Sequence, residues 1–226
     1  MGDMRPQALD FSGDERKHRT RVRTYEIVKQ CPRLWQDGKL RVDWIELSGV
    51  KDPMLTLIRP ALDPRRFVGI SRETQVVEAN GVHFRDLVGA GLAVYVQAEL
   101  EDEIADLGGY PHAGVLVFDG FTTVANGDIE QALAQLLNFA RHKATVHGQA
   151  LLVTNFVVRA NRAASDHVEN IERYKECLER LLGQKPSEEH FEKYRSEGRK
   201  YWMLLHRILI SEPGLPVPDG VTVWYL

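Results

Sequence analysis

Residues 113–118 read Ala-Gly-Val-Leu-Val-Phe, an unbroken apolar run that ends at Asp119-Gly120. An apolar run without alternation is typical of a strand covered on both faces, as in the middle of a parallel sheet. The next segment has apolar residues at positions 129, 132, 133, 136, 137 and 140, which mark one face of a helix. This stretch therefore predicts a buried strand followed by a helix, the repeating unit of a parallel sheet.

The same unit recurs on both sides of this stretch. Further strands are predicted at residues 40–47, 66–70, 92–96 and 150–158. After the first of them, Asp52-Pro53 provides an N-cap followed by proline at the first helical position. Alternating strands and helices predict the doubly wound α/β class, with a mostly parallel, seven-stranded sheet and helices on both faces. Ligands of such sheets bind at the carboxyl ends of the strands.

The last third of the chain has a different pattern. A helix is predicted from Ser165 or Asp166 to Gly183, and Ser187 is expected to begin another that carries Phe191 and Tyr194. Two β-rich segments follow, residues 201–210 and 221–226, separated by a proline-rich turn. They predict an antiparallel hairpin at the edge of the sheet.

Composition places the chain among folded proteins with one main domain. It has 226 residues, 43% of them hydrophobic, and a net charge of −3, which excludes a general polycation that coats nucleic acid or membranes. We expect a basic arm or helix over residues 1–24 and a single domain over 25–226. The two cysteines form no C-x-x-C pair, and no run reaches the ~20 apolar residues of a membrane span. A cytoplasmic protein without membrane contact is the expectation.

Charge is unevenly distributed along the chain. Residues 71–130 carry 11 acidic and 2 basic side chains, so this part should repel phosphate. The candidate nucleic-acid contact is instead a basic cluster near the N-terminus, consisting of Arg16, Lys17, Arg19, Arg21 and Arg23. The alternative for this cluster is a solvated helix face. A homo-oligomer or a protein partner is a further expectation.

The order of five strand–helix units, a helical region and a terminal hairpin resembles class I S-adenosylmethionine-dependent methyltransferases, from about residue 25 to the end. Residues 44–49, Trp-Ile-Glu-Leu-Ser-Gly, resemble the first motif, in which an acidic residue precedes a glycine-bearing turn. Only one glycine stands where the family has two or three. Residues 67–73, Phe-Val-Gly-Ile-Ser-Arg-Glu, resemble the second-strand motif, with a serine where the family has its ribose-binding carboxylate.

This resemblance implies S-adenosylmethionine as cofactor and a set of site residues. The implied cofactor-binding residues are Glu46, Ser48, Gly49, Ser71, Glu73 and Glu99. Asp119, at the end of the fourth strand, and Phe121 are the implied catalytic or acceptor-facing residues. Each also has a plain structural explanation: Glu46 as a hydrogen-bonded strand-end residue, Gly49 as a turn residue, and Asp119 as a cap.

Other chemistries lack their motifs. The eight histidines form no H-x-x-x-H or H-E-x-x-H pattern, so no metal site is expected. Neither a phosphate-binding G-x-x-x-x-G-K-[ST] loop nor a G-x-S-x-G nucleophile elbow is present. The sequence thus favours a methyltransferase of undefined acceptor, with nucleic acid as a candidate. The alternatives are a non-catalytic methyltransferase-like binding subunit and another nucleotide-using α/β enzyme.

Overall fold

The computed structural model describes residues 15–123, 129–158, 165–195 and 202–226, with side chains described throughout these ranges except at 119–123, 157–158, 165–168 and 195. The helices are α1 (Glu15–Lys29), α2 (Pro53–Ile58), α3 (Thr74–His83), α4 (Arg85–Gly89), α5 (Leu100–Ala105), α6 (Ile129–His147) and α7 (Ser165–Leu182). The strands are β1 (Trp35–Gln36), β2 (Lys39–Leu40), β3 (Asp43–Leu47), β4 (Phe67–Ser71), β5 (Ala93–Gln97), β6 (Ala113–Thr123), β7 (Gln149–Val158), β8 (Phe191–Arg195), β9 (Trp202–Ser211) and β10 (Thr222–Tyr225).

The central sheet has the order β10-β9-β7-β6-β3-β4-β5, and β8 pairs with β9 beside β10. Strands β3 to β7 pair in parallel, and β9 runs antiparallel to β7. The two short strands share one edge of β9, because β8 pairs with residues 202–206 and β10 with residues 208–211. The predicted doubly wound, mostly parallel α/β class is confirmed.

Apolar side chains from both faces of the sheet form two cores. One core contains residues of α1, α2 and α4, and the other contains residues of α5, α6 and α7. The predicted apolar face of α6 supplies five buried residues to the second core, namely Ile129, Leu133, Leu136, Leu137 and Ala140. Helices therefore cover both faces, which explains why the central strands can be apolar without alternation.

The chain end differs from the prediction in two respects. The segment after Ser187 is a short 3-10 helix followed by strand β8, not an α-helix. The antiparallel hairpin exists, but β8 and β9 form it, whereas β10 runs parallel to β9. Residues 212–221 are long enough to return the chain along the sheet, since ten extended residues reach up to ~33 Å. Terminal residues 222–225 therefore pair in the opposite sense to a hairpin strand.

Helix α1 runs through residue 24 and packs on the sheet. The buried guanidinium of Arg207 on β9 donates from Nε to Thr24 Oγ1 at 2.9 Å and from Nη2 to the Thr20 carbonyl at 3.0 Å. Its Nη1 donates to Glu192 Oε2 at 3.0 Å. One arginine thus joins the N-terminal helix to β8 and β9. The division of the chain at residue 24 stays a prediction, although α1 itself extends across it.

Candidate functional site

The carboxyl ends of β3, β4 and β5 lie side by side and bring most of the predicted cofactor residues together. Glu46, Gly69 and Tyr95 occupy the same register position on the three strands. Just beyond them, the Ser48 amide donates to the Ile70 carbonyl at 2.8 Å. The loop after β3 and the end of β4 therefore form one continuous surface.

Glu46 is buried within this surface. Its Oε2 accepts a hydrogen bond from the indole Nε1 of Trp44 at 3.1 Å, and the residue is 4% exposed. A side chain of the same strand thus holds this carboxylate. This contact agrees with the structural alternative for Glu46, a hydrogen-bonded residue at the end of a strand.

The loop after β3 is held by side chains in place of the missing glycines. Ser48 Oγ donates to Asp52 Oδ2 at 2.7 Å. Asp52 Oδ1 accepts from the amides of Met54 and Leu55 at 3.2 and 3.4 Å, which confirms it as the N-cap of α2. Burial raises the pKa of the Asp52 carboxyl, and the Ser48 hydrogen bond and the charge of Arg21 oppose that rise.

The absence of a side chain at Gly69 leaves space for the side chains of Ser48 and Tyr95. A β-carbon added at Gly69 would meet the Ser48 hydroxyl and would stand 2.6 Å from the Tyr95 ring. The Tyr95 hydroxyl is buried and has no hydrogen-bond partner among the described residues. Burial, with smaller contributions from the charges of Asp52 and Glu46, raises the Tyr95 pKa far above its ordinary value. The phenol therefore stays neutral beneath the loop.

The ribose position implied by the resemblance carries Ser71, which is buried. Its Oγ accepts from the amide of Glu73 at 3.2 Å, whereas the Glu73 side chain is exposed at the start of α3. Glu99 forms an ion pair with Arg72, with Nη1 and Oε1 3.2 Å apart. This partly exposed ion pair joins the segments that follow β4 and β5.

The predicted acceptor-facing residues belong to β6, but the side chains of Asp119 and Phe121 lie outside the described residues. The backbone register pairs Asp119 with Asn155 of β7. Asn155 is buried and donates from Nδ2 to the Tyr194 hydroxyl at 2.7 Å. The sequence placed Asn155 at the ligand-binding end of its predicted strand but assigned Tyr194 to a helix, so the contact between the two residues was not predicted.

The basic cluster divides between two sides of α1. Lys17 is buried, on the same face as Thr20 and Thr24, and Arg21 is half-buried. Arg16, Arg19 and Arg23 are exposed at positions that share the opposite side. Arg19 pairs with Glu15 at 3.6 Å and Arg23 with Glu192 at 3.9 Å. Three of the five predicted phosphate-contacting residues thus remain on an open surface.

A separate chain of polar groups lies at the β9–β10 edge. Tyr174 Oη is 2.6 Å from Thr154 Oγ1 and 3.3 Å from His206 Nδ1. On its other side, His206 Nε2 is 2.7 Å from Thr222 Oγ1, which is also 3.0 Å from His190 Nδ1. Burial lowers the pKa of His206 to about 3. This imidazole is therefore neutral and links β7, α7 and β10.

A cleft of about 710 Å³ opens beside this series of polar groups, between the segments before β8 and before β10. Its charged lining residues other than His190 are Arg23, Lys185, Glu189 and Asp219. The charged lining is therefore mixed, with two positive and two negative side chains. Within the described ranges, no cluster of three or more histidine, cysteine or acidic side chains could hold a metal ion. Nor does any described helix have the length and apolarity needed to cross a bilayer.

No protein-family model and no curated protein matches this sequence. Solved structures match its fold. Human methyltransferase-like protein 13, solved with S-adenosylhomocysteine (SAH), superposes with a TM-score of 0.54 at 12% identity, over 90% of this chain and 85% of that chain. A Pyrococcus horikoshii protein assigned as a transferase gives a TM-score of 0.51 at 12% identity, over 84% of this chain and 61% of that one. The chain therefore has the class I S-adenosylmethionine-dependent methyltransferase fold.

Proposed function

We propose that the chain is an S-adenosylmethionine-dependent methyltransferase whose cofactor lies across the carboxyl ends of β3, β4 and β5. The observation that carries the proposal is the alignment of Glu46, Gly69 and Tyr95 on these three adjacent strands, with the Gly49 turn directly beyond them. S-adenosylmethionine supplies a methyl group that its sulfonium already activates, so the protein is required mainly to bind, orient and exclude water.

The residues of the site fit such a ligand at its methionine end. Among the described residues other than its two chain neighbours, none has an atom within 4 Å of a β-carbon built at Gly49, so a ligand can approach this turn closely. At the ribose position, the Ser71 hydroxyl and the nearby carboxylate of Glu99 would hold the sugar and the adenine side. A hydroxyl provides a weaker acceptor for a diol than a bidentate carboxylate does. We therefore expect binding that depends more on the loop than on the end of β4.

Titration calorimetry with S-adenosylmethionine and SAH tests this proposal. We expect micromolar binding that weakens in Glu99→Gln and Glu73→Gln variants. Glu78→Gln, an exposed change on α3, is the matched control and should bind like the unmodified chain. At 100 times its dissociation constant, the ligand should raise the free energy of unfolding by ~2.7 kcal/mol. Absence of binding by both ligands would refute the proposal.

Catalysis is tested separately from binding. Asp119→Ala should retain SAH affinity but lose transfer of labelled methyl from S-adenosylmethionine, because Asp119 is assigned to the acceptor. Normal turnover in this variant would remove that role from Asp119.

Nucleic acid is the acceptor class that we propose, through the exposed arginines at positions 16, 19 and 23. Replacing all three with glutamine should weaken binding of a single-stranded RNA. The slope of log affinity against log salt concentration should also become shallower, by an amount equivalent to at most about three phosphate contacts. Arg59→Gln, which removes an exposed arginine paired with Asp86, is the control. Affinity that is indifferent to salt would exclude this acceptor class.

A non-catalytic binding subunit is the second candidate. Two observations favour it: the side-chain contact between Ser48 and Asp52 in place of glycines, and Ser71 in place of the ribose carboxylate. The calorimetric result separates the two candidates, since a subunit that has lost its cofactor would bind neither S-adenosylmethionine nor SAH.

A further inference from the structure

One buried side chain of α3 holds the whole turn between β3 and α2. Asn80 is fully buried, and its Nδ2 donates to the Gly49 carbonyl at 2.7 Å. Its Oδ1 accepts from the Lys51 amide at 2.9 Å. A single amide group therefore fixes the backbone on both sides of Val50.

This turn has a conformation that its sequence does not favour. Lys51 adopts a φ of 55°, in the left-handed region that a residue with a side chain avoids. A glycine-rich turn would enter this region without cost. The hydrogen bond that Asn80 donates to Gly49 and the one that it accepts from Lys51 compensate for the absence of glycine at position 51.

The contacts also determine where the polar groups of Val50 point. In a trans peptide, the carbonyl of one residue and the N–H of the next point in opposite directions. Because the Gly49 carbonyl points to Asn80, the Val50 N–H points away from it. Because the Lys51 N–H points to Asn80, the Val50 carbonyl also points away. Val50 therefore presents its N–H on the side of the turn opposite α3, beside the open space at Gly49.

We propose that Asn80 is a positioning residue that aims the Val50 N–H at the amino-acid carboxylate of the bound cofactor. The inference rests on the proposed function. A backbone N–H donating to a carboxylate forms a charge-assisted hydrogen bond, which is stronger than a neutral one. Asn80 acts through the backbone and does not itself contact the ligand.

Two ligands that differ only at the amino-acid end test this role. SAH carries the carboxylate, whereas 5′-methylthioadenosine lacks the whole amino-acid portion. Asn80→Ala should weaken SAH binding by roughly 10- to 100-fold, as expected for loss of a hydrogen bond to a charged group. The affinity for 5′-methylthioadenosine should change by less than about twofold, because that ligand does not reach Val50. Asn80→Asp keeps the acceptor for the Lys51 amide but places a carboxylate oxygen against the Gly49 carbonyl, so it should weaken SAH binding at least as much as Asn80→Ala.

Asn138→Ala on α6, where the asparagine is exposed, is the matched control and should leave both affinities unchanged. Equal losses for the two ligands would assign Asn80 a merely structural role, and unchanged SAH affinity would also overturn the inference. If the unmodified chain binds neither ligand, that result refutes the proposed function, and the inference about Asn80 is refuted with it.

Nuclear magnetic resonance of the unmodified chain gives a readout that does not depend on how the variants fold. The Val50 amide resonance should shift on addition of SAH and should stay in place on addition of 5′-methylthioadenosine. A Val50 resonance that responds identically to both ligands would contradict the proposed contact.

Discussion

The Tyr95 ring of β5 lies 2.6 Å from the place that a β-carbon of Gly69 would occupy. The two residues are cross-strand neighbours in register, and the ring covers the glycine beneath the loop after β3. Because Gly69 has no side chain, the Ser48 hydroxyl also fits above this glycine, where it donates to Asp52. The shape of the candidate cofactor loop thus depends on a residue of β4 that carries no side chain.

Gly69→Ala should destabilise the fold by about 1–3 kcal/mol, because the added carbon overpacks the space that Tyr95 and Ser48 fill. Gly81→Ala in α3 is the control, since its added carbon has no neighbour within 4 Å in the described part of the chain beyond the adjoining residues and its own helix backbone. That change should stabilise the helix by about 0.5–1 kcal/mol. Urea unfolding measures both. Effects of the same sign would show that packing at Gly69 is not the cause.

Asp52→Ala should lower the free energy of unfolding by about 1–2 kcal/mol, because it removes the N-cap of α2 together with the Ser48 contact. Asp52→Asn keeps an acceptor for the Met54 and Leu55 amides and should have a smaller effect. Asp106→Ala removes an exposed carboxylate that accepts from the Gly108 amide and should change stability by less than ~0.5 kcal/mol. Chemical denaturation compares the three, and an Asp106 effect as large as that of Asp52 would refute the cap assignment.

Stability should fall as the pH falls below about 6.5, because of His206. Its pKa is about 3 in the folded chain, against an ordinary value of 6.5, so the unfolded chain binds the proton first. The contribution is fully present above pH 6.5 and is lost toward pH 3, with a slope of up to ~1.4 kcal/mol per pH unit. The ring itself contacts Tyr174 of α7 and Thr222 of β10 and stacks on Phe191 of β8. The nearby charges of His190 and Arg207 also lower its pKa, after burial.

Urea unfolding of the original chain and of His206→Gln at a series of pH values checks this slope. The variant should lose most of it. His147→Gln is the comparison, because partial burial also lowers the pKa of His147, but this residue is only half-buried and its ring hydrogen-bonds only to a carbonyl among the described residues. A slope that survives in His206→Gln would contradict the assignment to His206.

Arg207→Met should loosen α1, because it removes the donors to Thr20, Thr24 and Glu192 while keeping much of the buried volume. We expect a loss of about 2–3 kcal/mol, in the range of hydrogen bonds to a charged group. Hydrogen exchange should show reduced protection over residues 15–29. The control is Arg59→Met, whose ion pair with Asp86 is exposed and contributes little. Unchanged exchange in α1 would mean that its apolar contacts alone hold it on the sheet.

Local features of this fold were predictable from the sequence. The apolar run at residues 113–118 forms the buried part of β6, and the spacing of apolar residues in α6 matches the face that is buried. Asp52 caps α2 as expected, and Gly183 follows α7 with a φ of 69°. These features depend on residues a few positions apart, so the sequence carries them directly.

The candidate site was predictable only in outline. The carboxyl ends of β3, β4 and β5 meet as expected, but Asn80 and Tyr95, which support the loop, were not identified. Asn80 is 29 positions from Lys51. Nothing in the sequence around Asn80 distinguishes it from other polar residues of a helix. Its role arises only when α3 is placed against the loop after β3. The direction of β10 was likewise hidden, because an alternating segment does not specify parallel or antiparallel pairing.

The sequence by itself determined the five parallel strands of the central sheet and helices α6 and α7, where several of these elements begin and end, and hence the doubly wound α/β class. Hydrophobic periodicity and capping act within a few residues, and they hold wherever the segment is finally placed. Only the tertiary structure decided that β8 replaces the predicted helix, that β10 runs parallel to β9, and that Asn80, Gly69 and Tyr95 together support the Ser48–Asp52 loop. Those outcomes depend on contacts between residues far apart in the chain, whose free energies are realised only when the sheet is assembled.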